Sequence, residues 1–373
     1  MTSSLATSLD LCTAAMGVFL AVPLLAMARQ RPANAWLAAF VGSLASLAMA
    51  DFCHSMGIYR DFPPIAGLFD VPLACLGASF YCYTRCMTGQ GLSRRQAWHL
   101  LPLPFWIGVL LVLRGSPPRW LFPAAVLVLQ LLTLGYNIVI LWRLRQYRRE
   151  LRQQYSSTGT RDLHWLSYLS GVLTVLLLVW LPATMLGGPW EALLLAGRLG
   201  VLCFAGWFGM RHLHVFLAPG LADPAAAADP RPVEESKYSR SGMTASASSE
   251  IGQRLVRRAE VQRDFLEPDL TLAELAERIG TSPQLLSQFL NDGKQQTFYD
   301  YINSLRVAEV QRLMRDPARV GSSLLDLSLS AGFNSRSTFN AAFKKVTGVA
   351  PSAWRKQHAN VSGPIGADDK QAA

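Results

Sequence analysis

Polar side chains near the end of the chain have the types and spacing needed to hydrogen-bond to the edges of nucleic-acid bases. Gln284, Ser287, Gln288 and Asn291 recur at i, i+3, i+4 and i+7, which places them on one face of a helix. Amides and hydroxyls suit base edges, and a glutamine can pair with adenine through two hydrogen bonds. A merely solvated face would carry more Glu and Lys, so we interpret this face as a candidate surface for reading DNA.

A second set of polar side chains follows in a later predicted helix. Its base-reading candidates are Arg336, Ser337 and Asn340. Candidates for contacts with backbone phosphates are Lys344, Lys345 and Arg355. Ser282 and Ser335, which precede the two candidate helices, are 53 residues apart, so the sequence predicts a tandem pair of similar units.

Ionizable groups inside apolar segments form the third candidate site. Asp70 and Arg198 each lie several residues into such a segment, and intramembrane charges are candidates for function. Our hypothesis is that they pair, or that they flank a polar pocket open to the outside, with Asp51 and Glu191 near its rim. The competing interpretation is a structural ion pair or a contact with the membrane interface that binds no ligand.

The sequence offers little for catalysis or for a cofactor. We find no HExxH, GxSxG or P-loop motif, so an enzyme is not expected. The six cysteines form no CxxC pair and no metal-like spacing with histidine, so neither a metal site nor a disulfide framework is expected. Residues 1–236 contain no lysine, which excludes a retinal Schiff base.

Capping signals define the elements that must hold the first candidate face. Thr271 and Glu274 form a predicted capping box, and that helix stops at Gly280. Ser282 and Pro283 then open a second helix with an apolar stripe of Leu285, Leu286, Phe289 and Leu290. Two helices joined by a short glycine turn indicate a helix-turn-helix unit.

The same signals recur downstream. Residues 298–314 predict a long connecting helix, which Asp316 and Pro317 end. Ser323 caps a short helix that stops at Gly332, and residues 333–335 turn into the next helix. The residues of that helix predicted to face the core are Phe339, Ala342, Phe343 and Val346. The region is therefore predicted to be all-helical, with two helix-turn-helix units.

Charge is distributed unevenly along the 373 residues, of which 51% are hydrophobic and 16% charged. Residues 1–220 hold 16 basic and 7 acidic side chains, whereas residues 221–373 hold 19 and 18. An ordinary soluble protein carries about 25% charged residues. The composition therefore predicts a membrane domain followed by a soluble one and excludes a wholly soluble or disordered chain.

Seven apolar segments have lengths near the roughly 20 residues that a membrane-spanning helix needs. They lie near residues 8–28, 33–52, 64–87, 97–113, 120–142, 163–186 and 190–216. With the N-terminus outside, the inner loops hold 11 arginines and the outer loops 3, which satisfies the positive-inside rule. We expect a multi-pass protein of the bacterial inner membrane, with its C-terminal half in the cytoplasm and arginines of residues 143–152 against membrane lipid.

The complete prediction is an all-α protein divided into four parts. A seven-helix transmembrane domain covers residues 1–217, and a linker rich in Pro, Ala and Ser covers 218–249. A helical domain with the two helix-turn-helix units covers 250–357, and a disordered tail covers 358–373.

The stretch from about 268 to 356 resembles the DNA-binding domain of the AraC/XylS family of bacterial transcription regulators. The similarity is carried by LTLAELAERIGTSPQLLSQFLND, by FYDYINSLRVAEVQRLM and most specifically by AGFNSRSTFNAAFKKVTGVAPSAWRK. The whole chain, with seven spans before that domain, looks like a membrane-anchored branch of the family.

The resemblance implies two recognition helices that enter successive segments of the major groove on one face of the DNA. Carried over by position, the implied base-reading residues are Gln284, Ser287, Gln288, Arg336, Ser337, Asn340 and Ala341. Family members commonly have arginine where this chain has Gln288 and Ala341, so the resemblance does not predict which operator is read. Residues 250–357 carry 15 basic and 12 acidic groups, a modest excess that dimerisation would supplement.

The sequence therefore predicts a membrane-bound regulator whose transmembrane domain senses an envelope or external signal and controls sequence-specific DNA binding. Its expected partners are double-stranded DNA, membrane lipid, an unknown signal ligand and a second copy in a homodimer. One alternative is a transporter-like membrane protein with an appended regulatory DNA-binding domain. Another is a C-terminal half that binds protein and not DNA.

Overall fold

The structure is a computed structural model. It describes residues 2–62, 68–90, 98–99, 101–113, 121–157, 163–186, 189–215, 245–319 and 321–359. Across these residues the regular elements are helices, and the β-type pairing is limited to an isolated antiparallel bridge between Tyr155 and Thr271. The prediction of an all-α protein is confirmed at this level.

The chain divides into two compact units. The first comprises Met1–Arg145 and Leu163–Arg231, and the second comprises Gln146–Asp162 and Pro232–Ala373. This division differs from the predicted domains because a short internal segment, which the sequence assigns to the transmembrane domain, belongs with the C-terminal unit.

The described helices of the first unit are mostly apolar and overlap every predicted span, and the short helix α3 lies between two of those spans. They are α1 (Thr2–Ala26), α2 (Pro32–Ser55), α3 (Ile58–Asp61), α4 (Leu76–Met87), α5 (Pro102–Leu113), α6 (Leu121–Gln154), α7 (His164–Leu186) and α8 (Pro189–Val215). Among the residues that the structure describes, four helical stretches are long and apolar enough to cross a membrane: Ala6–Arg29, Pro32–Ser55, Ala124–Gln154 and Trp190–Phe208. Shorter apolar stretches cover Pro102–Val112 and His164–Trp180.

The third predicted span is not one regular helix. Residues 64–67 lie outside the described part of the chain, and Leu68–Cys75 forms a 3₁₀-helix that precedes α4. Pro72 lies inside this segment and cannot donate a backbone hydrogen bond, which disfavours α-helix there. Asp70 consequently lies in a 3₁₀ turn and not inside an α-helical span.

Small residues let the first two helices of this unit approach closely. A Cβ atom built on Gly17 of α1 would lie 2.5 Å from the Cβ of Ala45 in α2. Close approach over small side chains is typical of helix pairs in membranes, where packing replaces the hydrophobic effect as the driving force. The α1–α2 pair therefore depends on glycine at position 17.

The second unit holds α9 (Ala245–Arg257), α10 (Leu272–Arg278), α11 (Pro283–Gln288), α12 (Phe298–Arg315), α13 (Leu324–Ser330), α14 (Arg336–Thr347) and α15 (Pro351–Ala359). The last five residues of the predicted linker are thus helical, as part of α9. Residues 216–244 and 360–373, which include the rest of that linker and most of the predicted tail, lie outside the described residues.

Two hydrophobic cores share α12. Phe298, Tyr301 and Ile302 pack with residues of α9, α10 and α11. Val307, Val310 and Leu313, nearer the C-terminal end of the helix, pack with residues of α13, α14 and α15. Because one continuous helix contributes to both cores, it fixes the spacing between the α10–α11 pair and the α13–α14 pair.

Candidate nucleic-acid interface

The α10–α11 pair forms through the predicted local signals. Thr271 Oγ1 accepts a hydrogen bond from the Glu274 amide at 3.2 Å, and Glu274 Oε2 accepts one from the Thr271 amide at 2.8 Å. Gly280 then turns the chain at φ +68°, a conformation that glycine adopts without strain. Ser282 Oγ caps α11 by accepting from the Leu285 amide at 3.3 Å. The predicted capping box, glycine stop and serine cap are all confirmed.

The α13–α14 pair repeats this construction. Ser323 Oγ accepts from the Asp326 amide at 3.1 Å, and Ser335 Oγ accepts from the Thr338 amide at 3.2 Å. Gly332 occupies the turn at φ +86°. Local hydrogen bonds thus set the start of each candidate recognition helix and orient the side chains on its first turns.

A buried cation links α12 to the loop before α10. Arg306 is 0% exposed, and its guanidinium donates to the carbonyls of Phe265 and Glu267, both at 2.7 Å, and of Pro268 at 3.2 Å. Burial lowers the pKa of Arg306 to about 10, so the side chain remains charged at neutral pH. Sequence analysis missed this residue because one arginine in an amphipathic helix is indistinguishable from a surface charge.

Two contacts join the turn between α13 and α14 to the loop before α10. Asn334 Nδ2, just before α14, donates to Asp269 Oδ1, just before α10, at 2.9 Å. A Cβ atom at Gly332 would lie 2.6 Å from the carbonyl oxygen of Leu266, so the backbones touch there. The pairs are therefore held to each other directly as well as through α12.

The first candidate face is open on α11. Gln284 and Gln288 are exposed, and Ser287 is half-buried with its Oγ accepting from Asn291 Nδ2 at 3.3 Å. Three of the four residues of the predicted apolar stripe are buried, and the fourth, Leu285, is 39% exposed. Leu285 lies beside the glutamines and would add an apolar contact, such as one to a thymine methyl group.

The second candidate face is open on α14. Arg336, Ser337, Asn340 and Ala341 are all exposed. Phe339, Ala342 and Phe343 are buried as predicted, but Val346 is 50% exposed. The helix ends at Thr347, so its last turn extends past the core and leaves Val346 uncovered.

The three phosphate candidates differ in their present contacts. Lys344 is exposed on α14. Lys345 forms an ion pair with Asp300 of α12, with Nζ and Oδ1 2.7 Å apart. Arg355 is half-buried and donates to the Ser322 carbonyl at 2.8 Å. Lys344 is therefore the candidate that would reach a phosphate with least rearrangement. To contact a phosphate, Lys345 would have to leave or share Asp300, and Arg355 would have to leave or share the Ser322 carbonyl.

The candidate site in the first unit contains an ion pair with a different carboxylate from the predicted one. Arg198 in α8 pairs with Asp51 in α2, and their side chains are 13% and 44% exposed. Arg198 also lines a largely apolar cavity of about 70 Å³, whose lining does not include Asp70. Ligand pockets usually measure about 300–1,000 Å³, so this cavity is small for a ligand. The structural pair is thus observed with Asp51, and the role of Asp70 stays a prediction.

No group of three or more potential metal ligands occurs among the residues that the structure describes. The six cysteines all carry free thiols, with Cys53 and Cys82 buried among helices of the first unit. Buried cysteines of this kind commonly serve as small apolar side chains.

Comparison with known proteins finds similarity in the second unit. Residues 275–357 match a helix-turn-helix domain family. A melibiose operon regulatory protein of Escherichia coli K12 is 32% identical over 87 residues, which are 23% of this chain and 28% of that protein. The protein of the same name from Escherichia coli O6:H1 matches to the same extent. The chain thus spans 28% of the length of these curated relatives. No solved structure is significantly similar to it.

Proposed function

We propose that the protein is a membrane-bound transcription regulator that binds specific DNA sequences through two helix-turn-helix units, α10–α11 and α13–α14. One observation carries the proposal: α11 and α14 each expose amide, hydroxyl or guanidinium groups, and α12 holds both helices through its two cores. The match of residues 275–357 to a helix-turn-helix family and the likeness to a named operon regulator support it.

In the proposed complex α11 and α14 occupy successive major-groove segments. Gln284, Ser287 and Gln288 read base edges from α11, and Arg336, Ser337 and Asn340 read them from α14. The guanidinium of Arg336 suits the two acceptors of a guanine, and it is the cationic base-reading candidate of the set. Lys344 neutralises a phosphate, and Lys345 and Arg355 contribute to the same backbone contact.

The first unit is proposed to span the inner membrane seven times and to sense an envelope or external signal. Four helical stretches have the length and apolarity to cross a membrane, and the remaining predicted spans overlap shorter helices. The arginine bias of the predicted inner loops supports a cytoplasmic second unit. Pairing of two copies would place two DNA-binding units at high effective concentration and offset the modest basic charge of each.

Selection from genomic DNA tests the proposal. The full-length protein, in detergent micelles, is mixed with sheared genomic fragments, and retained fragments are sequenced. We expect a small set of sites with a common motif, each showing a protected footprint. The matched control is Arg336→Ala with Gln284→Ala, which alters exposed side chains and leaves both cores intact. Retention of fragments without any sequence preference by the unaltered protein would refute the proposal.

A further inference from the structure

A short segment from the middle of the chain is part of the second unit. Gln146–Asp162 groups with the C-terminal helices, although 82 residues, 163–244, separate it from α9. Its described part, residues 146–157, starts within α6, an unbroken helix from Leu121 to Gln154 whose earlier residues belong to the first unit. The C-terminal end of α6 and the residues after it are referred to below as the docking segment, residues 146–157.

Backbone pairing fixes the end of the docking segment beside α10. Tyr155 and Thr271, the N-cap residue of α10, form an antiparallel bridge. The amide of Ser156 donates to the carbonyl of Leu270 at 3.2 Å. Ser156 is fully buried, so these contacts are shielded from water.

Side chains of α12 complete the contact. The carbonyl of Ser156 accepts from Asn303 Nδ2 at 3.2 Å and from Arg306 Nη1 at 3.3 Å. Ser156 Oγ accepts from Arg306 Nη2 at 3.2 Å. One turn earlier, the guanidinium carbon of Arg152 lies 5.6 Å from the ring centre of Tyr299, in cation–π range.

Arg306 explains why the docking segment would stabilise the unit. A guanidinium has five N–H donors and no acceptor, and burying it without partners is strongly unfavourable. Loop carbonyls near α10 serve Nε and Nη2, whereas the nearest acceptor of Nη1 is the carbonyl of Ser156. Removal of the segment would leave Nη1 with the longer contact to Asn303 Oδ1, at 3.5 Å, in the interior beside the helix that both cores share.

The geometry points to a regulatory interface within the chain: residues 146–157 dock on α10 and α12 and carry displacements of α6 to the helix that spaces α11 and α14. The docking stands on the contacts above, and its effect on DNA rests on the proposed function. Because α6 runs without interruption into the docking segment, a shift or rotation of α6 moves Ser156. Arg306 transfers that movement to α12, which lies between the two candidate recognition helices in sequence and contributes to both cores.

Disulfide trapping tests the docking without reference to DNA. Opposed residues in antiparallel pairs have Cα atoms about 4.5–5.5 Å apart, within the range of about 4.4–6.8 Å that a disulfide needs. Tyr155→Cys and Thr271→Cys are introduced into the full-length protein, together with a protease site within residues 218–244. After mild oxidation in native membranes and proteolysis, we expect the two fragments to remain joined on a non-reducing gel.

The matched control is Tyr155→Cys with Glu277→Cys, because Glu277 lies about 9 Å further along α10, at 1.5 Å per residue. The control and each single-cysteine variant report any pairing with the six native cysteines. We expect the 155–271 pair to cross-link several-fold more than the 155–277 pair. Equal cross-linking of both pairs, or none at 155–271, would overturn the docking.

A second measurement separates docking from its effect on DNA. Ser156→Leu places a bulky side chain in the buried contact, and Gln153→Leu, at an exposed position of the same segment, is its control. We expect Ser156→Leu to speed hydrogen exchange of α12 by about tenfold or more, as loss of a buried hydrogen bond predicts, and to reduce retention of selected DNA. Unchanged exchange would overturn the docking, and faster exchange with unchanged DNA retention would overturn the coupling alone.

Discussion

The α-carbon of Gly332 faces the carbonyl of Leu266 so closely that a Cβ atom there would lie 2.6 Å from its oxygen. Gly332 is in the turn between α13 and α14, and Leu266 precedes α10, so this contact joins the two candidate DNA-reading units. Gly348, at the end of α14, has a similar positive φ, but apart from its chain neighbours no described residue has an atom within 4 Å of the position that a Cβ atom would take there. A comparison of alanine substitutions at the two positions therefore separates the effect of backbone conformation from that of crowding.

Gly348→Ala is expected to destabilise the second unit by about 1–2 kcal/mol, the strain of a left-handed residue with a side chain. Gly332→Ala carries the same strain and should lose about 1–3 kcal/mol more through overpacking, since the crowding atoms are backbone. Hydrogen exchange of α12 and α14 in the full-length protein measures both. Equal losses of stability for the two variants would show that the backbone at Leu266 can shift at little cost.

Arg336→Ala and Lys344→Ala should weaken DNA binding in different ways. Loss of Arg336 is expected to cost about 1–3 kcal/mol and to relax preference at one base pair. Loss of Lys344 should weaken binding to all sequences alike. It should also reduce the magnitude of the slope of log K against log salt concentration by about one. Titrations of a selected site and its single-base variants, at several salt concentrations, check both. The reverse pattern would mean that α14 is oriented differently on the duplex.

Low pH should destabilise the second unit through Glu309 of α12. Hydrogen bonds from Arg312 and Arg263 hold the pKa of this buried carboxyl below its usual range. A carboxyl with a lowered folded pKa stabilises the fold above its unfolded value of about 4.3, and that contribution is lost as the pH falls through the folded pKa. Denaturation of the full-length protein between neutral pH and pH 3 should show the loss.

Glu309→Gln should flatten this dependence, because the amide cannot titrate. Glu277→Gln, at an exposed position of α10, is the matched control for the loss of one carboxylate. An acid transition of the same size in Glu309→Gln and in the unaltered protein would assign the effect to other carboxyls.

Removing either partner of the Asp51–Arg198 pair should reduce the stability of the first unit. An unpaired charge within an apolar span costs about 2.5–3.5 kcal/mol, so Asp51→Asn should lower the yield of folded protein in membranes. The double variant Asp51→Asn with Arg198→Gln should recover part of it, because no unpaired charge is left. The temperature at which each variant aggregates in detergent checks whether the double variant is more stable than the single variants. A loss in Asp70→Asn that the Arg198→Gln change relieves would instead assign the pair to Asp70.

Local features of the second unit could be predicted from the sequence because their causes are local. The capping box of Thr271, the caps at Ser282 and Ser323, and the turns at Gly280 and Gly332 each depend on residues within one helical turn. The long helix α12 was likewise predicted at 298–314, within one residue of its observed end. Which exposed side chains contact DNA stays a prediction, because such contacts depend on the DNA as well as on the chain.

The features that sequence analysis missed depend on residues far apart in the chain. Ser156 and Arg306 are separated by 150 positions, and nothing in either neighbourhood indicates the other. The predicted partner of Arg198 depends on counting residues from the ends of presumed regular spans. A 3₁₀-helix rises about 2.0 Å per residue, against 1.5 Å in an α-helix. The 3₁₀ segment at Leu68–Cys75 therefore makes such counting unreliable for Asp70.

The chain order of the second unit bears on how such a protein is switched. A protease that cut anywhere between residues 215 and 245 would release a C-terminal fragment that lacks residues 146–157. That fragment would lack the nearest acceptor of Arg306 Nη1. If the protein is the membrane-bound regulator proposed above, this chain order disfavours control by proteolytic release of the second unit and favours binding of DNA at the membrane.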